Sequence, residues 1–264
     1  MIAIDGSSNR YGSSHPYVVL FFQACARSTR STGEIRMLTA SRLFSPLVPG
    51  SERLIKMWRN RGLTDEDALT HIYWQTLARL ELVLAIRALR KFCPRLIIFD
   101  GGLSRLKQHG QARWDLFERL AKKEKVAVVG VIEEVSTSFL CRELPGQKFL
   151  GDREILFGLL KPREILIPPQ PFKDGLINIY ARLGHHPQAV ACEFLEDQRD
   201  ELLATMSFLA TITPYGGRGF PFLIDLVDNE IRLTDREVEL LLSAFLDYAH
   251  GEKFLLPHRL RREF

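Results

Sequence analysis

Met1-Ile2-Ala3-Ile4-Asp5-Gly6-Ser7-Ser8 opens the chain with an apolar run, then a carboxylate, then a glycine and two serines. It reads as a buried strand, Met1 to Asp5, stopped by a turn at Gly6-Ser7-Ser8. Tyr17 to Ala26 is a second apolar run rich in β-formers, and Glu34 to Ala40 reads as a third strand. Segment 45–63 is mixed and is broken early by Pro46, Pro49 and Gly50. Thr64-Asp65-Glu66-Asp67 then supplies an N-cap and an acidic first turn for a long helix that continues to about Leu89. Leu96 to Phe99 is a short strand ending at Asp100, where Gly101-Gly102 turn the chain. Residues 110–124 are expected to be helical. Val126 to Ile132 is a continuous apolar strand of the kind that a parallel sheet covers on both faces.

Further along, Pro162, Pro168, Pro169 and Pro171 make 161–175 a crossing loop. Strands near 176–182 and 188–194 and a helix near 197–210 follow. The segment 221–250 is expected to hold the C-terminal helices, with Pro221 at a first helical position and Thr234 with Glu237 as a capping box. Three strands followed by alternating helix and strand match an α/β, ribonuclease-H-like mixed sheet flanked by helices, with the C-terminal helices completing the site. A doubly wound nucleotide-binding fold would alternate from the start. One domain is expected over 1–264, with no internal repeat and no low-complexity tract.

The 264 residues are 46% hydrophobic and 26% charged, which excludes disorder for the bulk of the chain. No apolar stretch is long enough to span a membrane, and the N-terminus lacks the basic and apolar regions of a signal peptide. Cys25, Cys93, Cys141 and Cys192 form no Cys-x-x-Cys pair, so neither a disulfide framework nor a structural zinc site is expected, and a reducing cytoplasm is the natural home. The net charge of +4, from 36 Lys+Arg against 32 Asp+Glu, does not by itself announce nucleic-acid binding. Basic clusters occur at Lys122, Lys123 and Lys125 and at Arg259, Arg261 and Arg262.

Three carboxylates need an explanation. Asp5 and Asp100 each end an expected strand just before a glycine, where an α/β sheet presents side chains to a cleft. The plain alternative is a turn aspartate bonded to its own backbone. Glu81 lies on a helix among Leu77, Ala78, Leu84 and Ala85, and that helix offers it no basic partner. Such a carboxylate must be paired, protonated or bound to a metal. Together the three can converge on one point, and hard oxygen ligands suit Mg²⁺ or Mn²⁺, which support two-ion phosphodiester hydrolysis. Asp228 is the candidate fourth ligand, with Asp225 three positions before it. Either is equally well read as helix-surface charge.

Tyr215-Gly216-Gly217-Arg218-Gly219 is a flexible basic loop that could approach a phosphate backbone or simply connect two helices. Arg105, Lys107 and Arg218 are the candidate cationic contacts for such a backbone. His185-His186 reads as a surface loop, His250 as a partner for a helix C-terminus, and Trp58, Trp74 and Trp114 as core or interface residues. Ser7, Ser8, Ser13 and Ser14 lack a nucleophile elbow.

In these residues the sequence resembles the NurA nuclease family. The resemblance rests on Ile2-Ala3-Ile4-Asp5-Gly6-Ser7, Leu80-Glu81-Leu82, Phe99-Asp100-Gly101-Gly102-Leu103, Val129-Gly130-Val131 and Gly219-Phe220-Pro221-Phe222-Leu223, in that order over nearly the whole chain. It implies a metal-dependent deoxyribonuclease with 5′–3′ exonuclease and single-strand endonuclease activity. It also implies a homodimer that works with a hexameric HerA-type ATPase in DNA-end processing. By position, Asp5, Glu81 and Asp100 would hold two Mn²⁺ or Mg²⁺ ions. The sequence departs from the family at Phe220, where a tyrosine is usual, and at Asp228, where a histidine is usual. Glu133-Glu134 stand where a basic residue often follows the Val-Gly-Val strand, and Glu133 could add an acidic ligand. The chain also starts close to Asp5, without the N-terminal arm of longer relatives.

Two other readings compete. One is a DNA-end-binding or ATPase-docking subunit whose site has decayed, which Phe220, Asp228 and Glu133 would support. The other is an actin-like or sugar-kinase-type ATP-binding protein, for which the chain is short and Gly216-Gly217 is the sole candidate nucleotide loop.

Overall fold

A computed structural model describes residues 1–29, 35–48, 50–138, 140, 151–168 and 175–245. Cys141, Pro169, Pro171, the 246–250 end of the expected C-terminal helices with His250, and Arg259, Arg261 and Arg262 lie outside the described residues.

The three early strands form an antiparallel meander of β1 (Ile2–Ser14), β2 (Tyr17–Thr29) and β3 (Ile35–Phe44). The first strand does not stop at Gly6. It continues through Gly6-Ser7-Ser8, because Phe22, Gln23 and Ala24 of β2 supply partners at those positions, and pairing across the ladder overrides the local turn signal. Helix α1 (Glu52–Arg59) occupies part of the mixed segment, and α2 (Asp65–Phe92) is the long helix. The Thr64 side chain caps α2 by accepting the Asp67 N–H at 3.2 Å, and Cys93 closes its other end in the left-handed region at φ 45°.

Strand β4 (Leu96–Asp100) lies parallel to β1, and β5 (Ala127–Ile132) parallel to β4. Between them stand two helices rather than the single expected one. They are α3 (Leu103–Gly110) and α4 (Ala112–Lys123), separated at Gln111 with φ 50°. A short helix α5 (Asp152–Leu156) precedes β6 (Ile165–Leu166), β7 (Leu176–Ala181) and β8 (Val190–Leu195). A 3₁₀ segment at Glu196–Glu201 leads into α6 (Leu202–Thr211), followed by α7 (Phe222–Ile231) and α8 (Asp235–Phe245). Pro221 caps α7 in extended conformation instead of starting its first turn. Thr234 and Glu237 form the reciprocal capping box, at 2.8 and 3.4 Å.

Among the described residues, eight strands make one mixed sheet in the order β3-β2-β1-β4-β5-β8-β7-β6, with helices on both faces. On one face Ile2, Ile4, Ile97 and Phe99 pack with Leu82, Leu84 and Ala85 of α2 and Trp114 and Phe117 of α4. On the other, Ile98, Val129 and Val131 pack with Met206 and Leu209 of α6, while Ala3 meets Leu223, Val227 and Ile231 of α7. Burial on both faces is why β4 and β5 read as unbroken apolar runs. No helix among the described residues is long and apolar enough to cross a membrane.

Candidate active site

Ile2, Ala3 and Ile4 stand opposite Ile97, Ile98 and Phe99 in the parallel ladder. The next rung brings Asp5 beside Asp100, with both side chains on the face of Ala3 and Ile98, where α7 lies. Asp100 ends its strand, as its sequence suggests. Asp5 instead lies within a long strand, at the point where β1 outruns β4. Asp228 comes to the pair from α7, whose contact with β1 is set by Leu223, Val227 and Ile231. Its charge bears on both aspartates, and it also pairs with Arg232 at 3.1 Å.

Gly6 faces the opposite side, toward α2. A Cβ there would lie 2.5 Å from Oε1 of Glu81 and 2.8 Å from Cδ1 of Leu77. The glycine is therefore required by a close approach and not by a turn: it lets a helical glutamate press against the strand beside Asp5. Gly6→Ala is expected to displace Glu81 and to destabilise the fold by about 1–3 kcal/mol, the usual cost of overpacking. A urea melt measures the loss, and an unchanged midpoint would show that Glu81 moves aside freely.

Glu81 is completely buried, yet it has a basic partner. Arg105 donates through Nη1 and Nη2 to its two carboxylate oxygens at 3.1 and 2.7 Å. The expectation that α2 itself supplies no partner holds. The partner comes from α3, a helix that the sequence reading did not separate. Arg105 is thus a buried counter-ion with a side chain only 21% exposed, and not an open DNA contact as the sequence suggested. Burial raises the Glu81 pKa, and the charge and hydrogen bonds of Arg105 oppose it.

The aspartates sit among several negative charges, with Arg105 acting on Asp5 and Asp100 and Arg218 on Asp100. Burial first, then Asp100 and Glu81, push the Asp5 pKa up to about 8, although the Gly6 N–H donates to it at 2.6 Å. Burial, followed by Glu81, Asp228 and Glu133, pushes Asp100 up to about 6. Without a bound cation, the folded chain holds a proton on Asp5 that the unfolded chain has released above pH 4. The native state then carries the extra proton, so stability falls as pH rises from about 4 to about 8. Melts in chelator across that range should show this decline, and Asp5→Asn should flatten it.

Arg218 projects from the 213–221 connection and is half exposed. It grips Glu133 at 2.8 and 2.7 Å and Asp225 at 2.5 Å, with its guanidinium 5.0 Å above the buried ring of Phe220. Both acidic residues are therefore engaged at the rim, as is Arg218 itself. Lys107 is half-buried on α3. His186 accepts the Gln188 N–H through Nδ1 at 3.2 Å, and the His185 ring lies tilted against Tyr215. Trp114 and Trp58 are buried, whereas Trp74 is 37% exposed against His109. One residue had no sequence signal. Glu193 of β8 is buried and accepts the Ser104 N–H at 2.7 Å and the Ser104 hydroxyl at 2.9 Å, capping α3 and so fixing the helix that carries Arg105.

Among the described residues, no three His, Cys, Asp or Glu side chains are drawn together as a ready cation shell. The chemistry of the set nevertheless fits a hard divalent ion. Its donors are oxygens only, and mutual repulsion between buried carboxylates is what such an ion relieves.

The NurA domain matches residues 1–233. The chain belongs to the NurA family. No curated protein matches it by sequence. Among solved structures it is similar to the NurA nuclease of Sulfolobus solfataricus, with a TM-score of 0.60 and 16% identity over 97% of this chain and 86% of that one. It is also similar to endonuclease V of Ciona intestinalis, at TM-score 0.45 and 12% identity over 91% of this chain and 87% of that one. This NurA chain has the ribonuclease-H-like sheet expected from its strand order.

Proposed function

We propose that this NurA-family chain is a metal-dependent deoxyribonuclease. Family and fold support a nuclease, and the observation that carries the finer reading is the charge coupling of Asp5, Asp100 and Asp228 at the end of the β1–β4 ladder, with Glu81 pressed against Gly6. Asp5, Asp100, Glu81 and Asp228 would hold one or two Mn²⁺ or Mg²⁺ ions. Such ions supply activation of water and charge stabilisation at the attacking and leaving oxygens of a phosphodiester. The protein's own part is positional. The β1–β4 ladder fixes Asp5 against Asp100, Arg105 orients Glu81, and Arg218 restrains Glu133 and Asp225 at the rim. Burial of Asp5 and Glu81 strengthens their charge interactions with the half-buried Asp100 and Asp228.

Family membership supports the remaining elements of the proposal. They are 5′–3′ exonucleolytic and single-strand endonucleolytic cutting, a cytoplasmic homodimer, and work on DNA ends with a HerA-type hexameric ATPase. Cleavage of 5′-labelled and 3′-labelled strands with Mn²⁺, Mg²⁺ or EDTA, wild type beside Asp5→Asn, tests the core of it. Ion-dependent cutting that disappears in the variant is the expected result. No cutting with any ion, alone or with the ATPase, would instead support a decayed DNA-end-binding subunit.

A further inference from the structure

The middle of α2 carries a feature that the carboxylate site does not use. Arg79 lies two positions before Glu81, which puts their side chains on opposite sides of the helix. Its Nε is buried and has no hydrogen-bond partner. It lies several turns short of the helix C-terminus, so the helix dipole does not account for it. Helix α2 packs against both β3 and α4, and one arginine of each, Arg42 and Arg113, lies close enough for its charge to act on Arg79. Arg42 shares the face of Leu38 and Ala40 on β3, and Arg113 stands at the start of α4. Both are exposed, and none of the three meets a carboxylate among the described residues. Burial, then the charges of Arg113 and Arg42, lower the pKa of Arg79.

Repulsion of the Arg79 guanidinium by one on β3 and one on α4 weakens the free protein unless an anion joins them. A compact anion needs its donors on one point, whereas these span β3, α2 and α4, as the successive phosphates of a strand require. We propose that Arg42, Arg79 and Arg113 form a binding site for the phosphodiester backbone of a DNA strand, on the side of α2 away from the carboxylates. This site rests on the DNA reading above and extends it. It holds the flank of a substrate strand, not the bond to be cut.

The test is fluorescence anisotropy with a labelled single strand in EDTA, titrated over a range of salt concentrations. Each single-strand phosphate contact adds about 0.7 to the slope of log affinity against log salt. The triple variant Arg42→Gln/Arg79→Gln/Arg113→Gln should therefore lose about 2 from that slope, with a tenfold or greater loss of affinity at roughly 0.1 M salt. Its melting temperature should equal or exceed that of wild type, because repulsion has been removed. An unchanged slope in a folded variant overturns the proposal, and a poly-glutamate titration of the same variant then reveals whether an acidic protein surface uses the cluster. Absence of cutting by the wild type, together with a reduced slope in the triple variant, would refute the nuclease reading and leave this site standing.

Discussion

Arg105→Met is expected to lower the unfolding free energy by about 3–5 kcal/mol at neutral pH, the cost of leaving one member of a buried ion pair alone. Glu81 is fully buried and its two carboxylate oxygens accept from the two terminal guanidinium nitrogens of Arg105, so methionine leaves a carboxylate in an apolar setting beside Leu77 and Gly6. Replacing the abandoned charge as well, in Arg105→Met/Glu81→Gln, should recover most of the loss, because the uncompensated charge and not the lost packing is what destabilises. Urea melts of the four-member cycle measure both effects. A single variant that melts like wild type would show that Glu81 is protonated in the native state and owes nothing to Arg105.

Asp100→Asn should reduce cleavage by more than about 100-fold, since even groups that merely support a metal ligand cost 10–100-fold when removed. The same change should raise stability in chelator, because it deletes a negative charge crowded by Glu81, Asp228 and Glu133. Opposite signs for activity and stability are the expected mark of a residue kept for chemistry. Cutting rates and thermal melts on one preparation decide the matter, and wild-type cleavage by the variant would overturn the site assignment.

The succession of elements along the chain was legible because they are locally consistent. The continuous apolar runs of β4 and β5 and the capped start of α2 carry their structure in their own residues. Glu81 was legible for a different reason, as a charge among leucines and alanines. The rest depended on neighbours remote in sequence. Gly6-Ser7-Ser8 has turn composition, yet it is strand because β2 pairs with it. The role of Gly6 follows from a helix some 75 residues later (81 − 6) and cannot be seen in the dipeptide. Arg105 looked like a surface cation because the break at Gln111 hid α3, and with it the burial of that helix against α2. Glu193 looked like part of a strand because nothing nearby reveals that it caps a helix one strand away.

The parallel register of β1 and β4 also determines which heritable changes the site can survive. The adjacency of Asp5 and Asp100 is set by main-chain pairing of Ile2–Ile4 with Ile97–Phe99, so it depends on residue count more than on residue identity. Conservative apolar substitutions in these strands leave the count intact and the carboxylates adjacent. Deletion of a single residue from Ile2–Ile4 does not. It either turns Asp5 through the sheet toward α2 or slips the long β1–β2 hairpin by one position, reversing the faces of its side chains. Lineages of this chain are therefore free to drift in the spelling of both strands while their lengths before the two aspartates stay locked together.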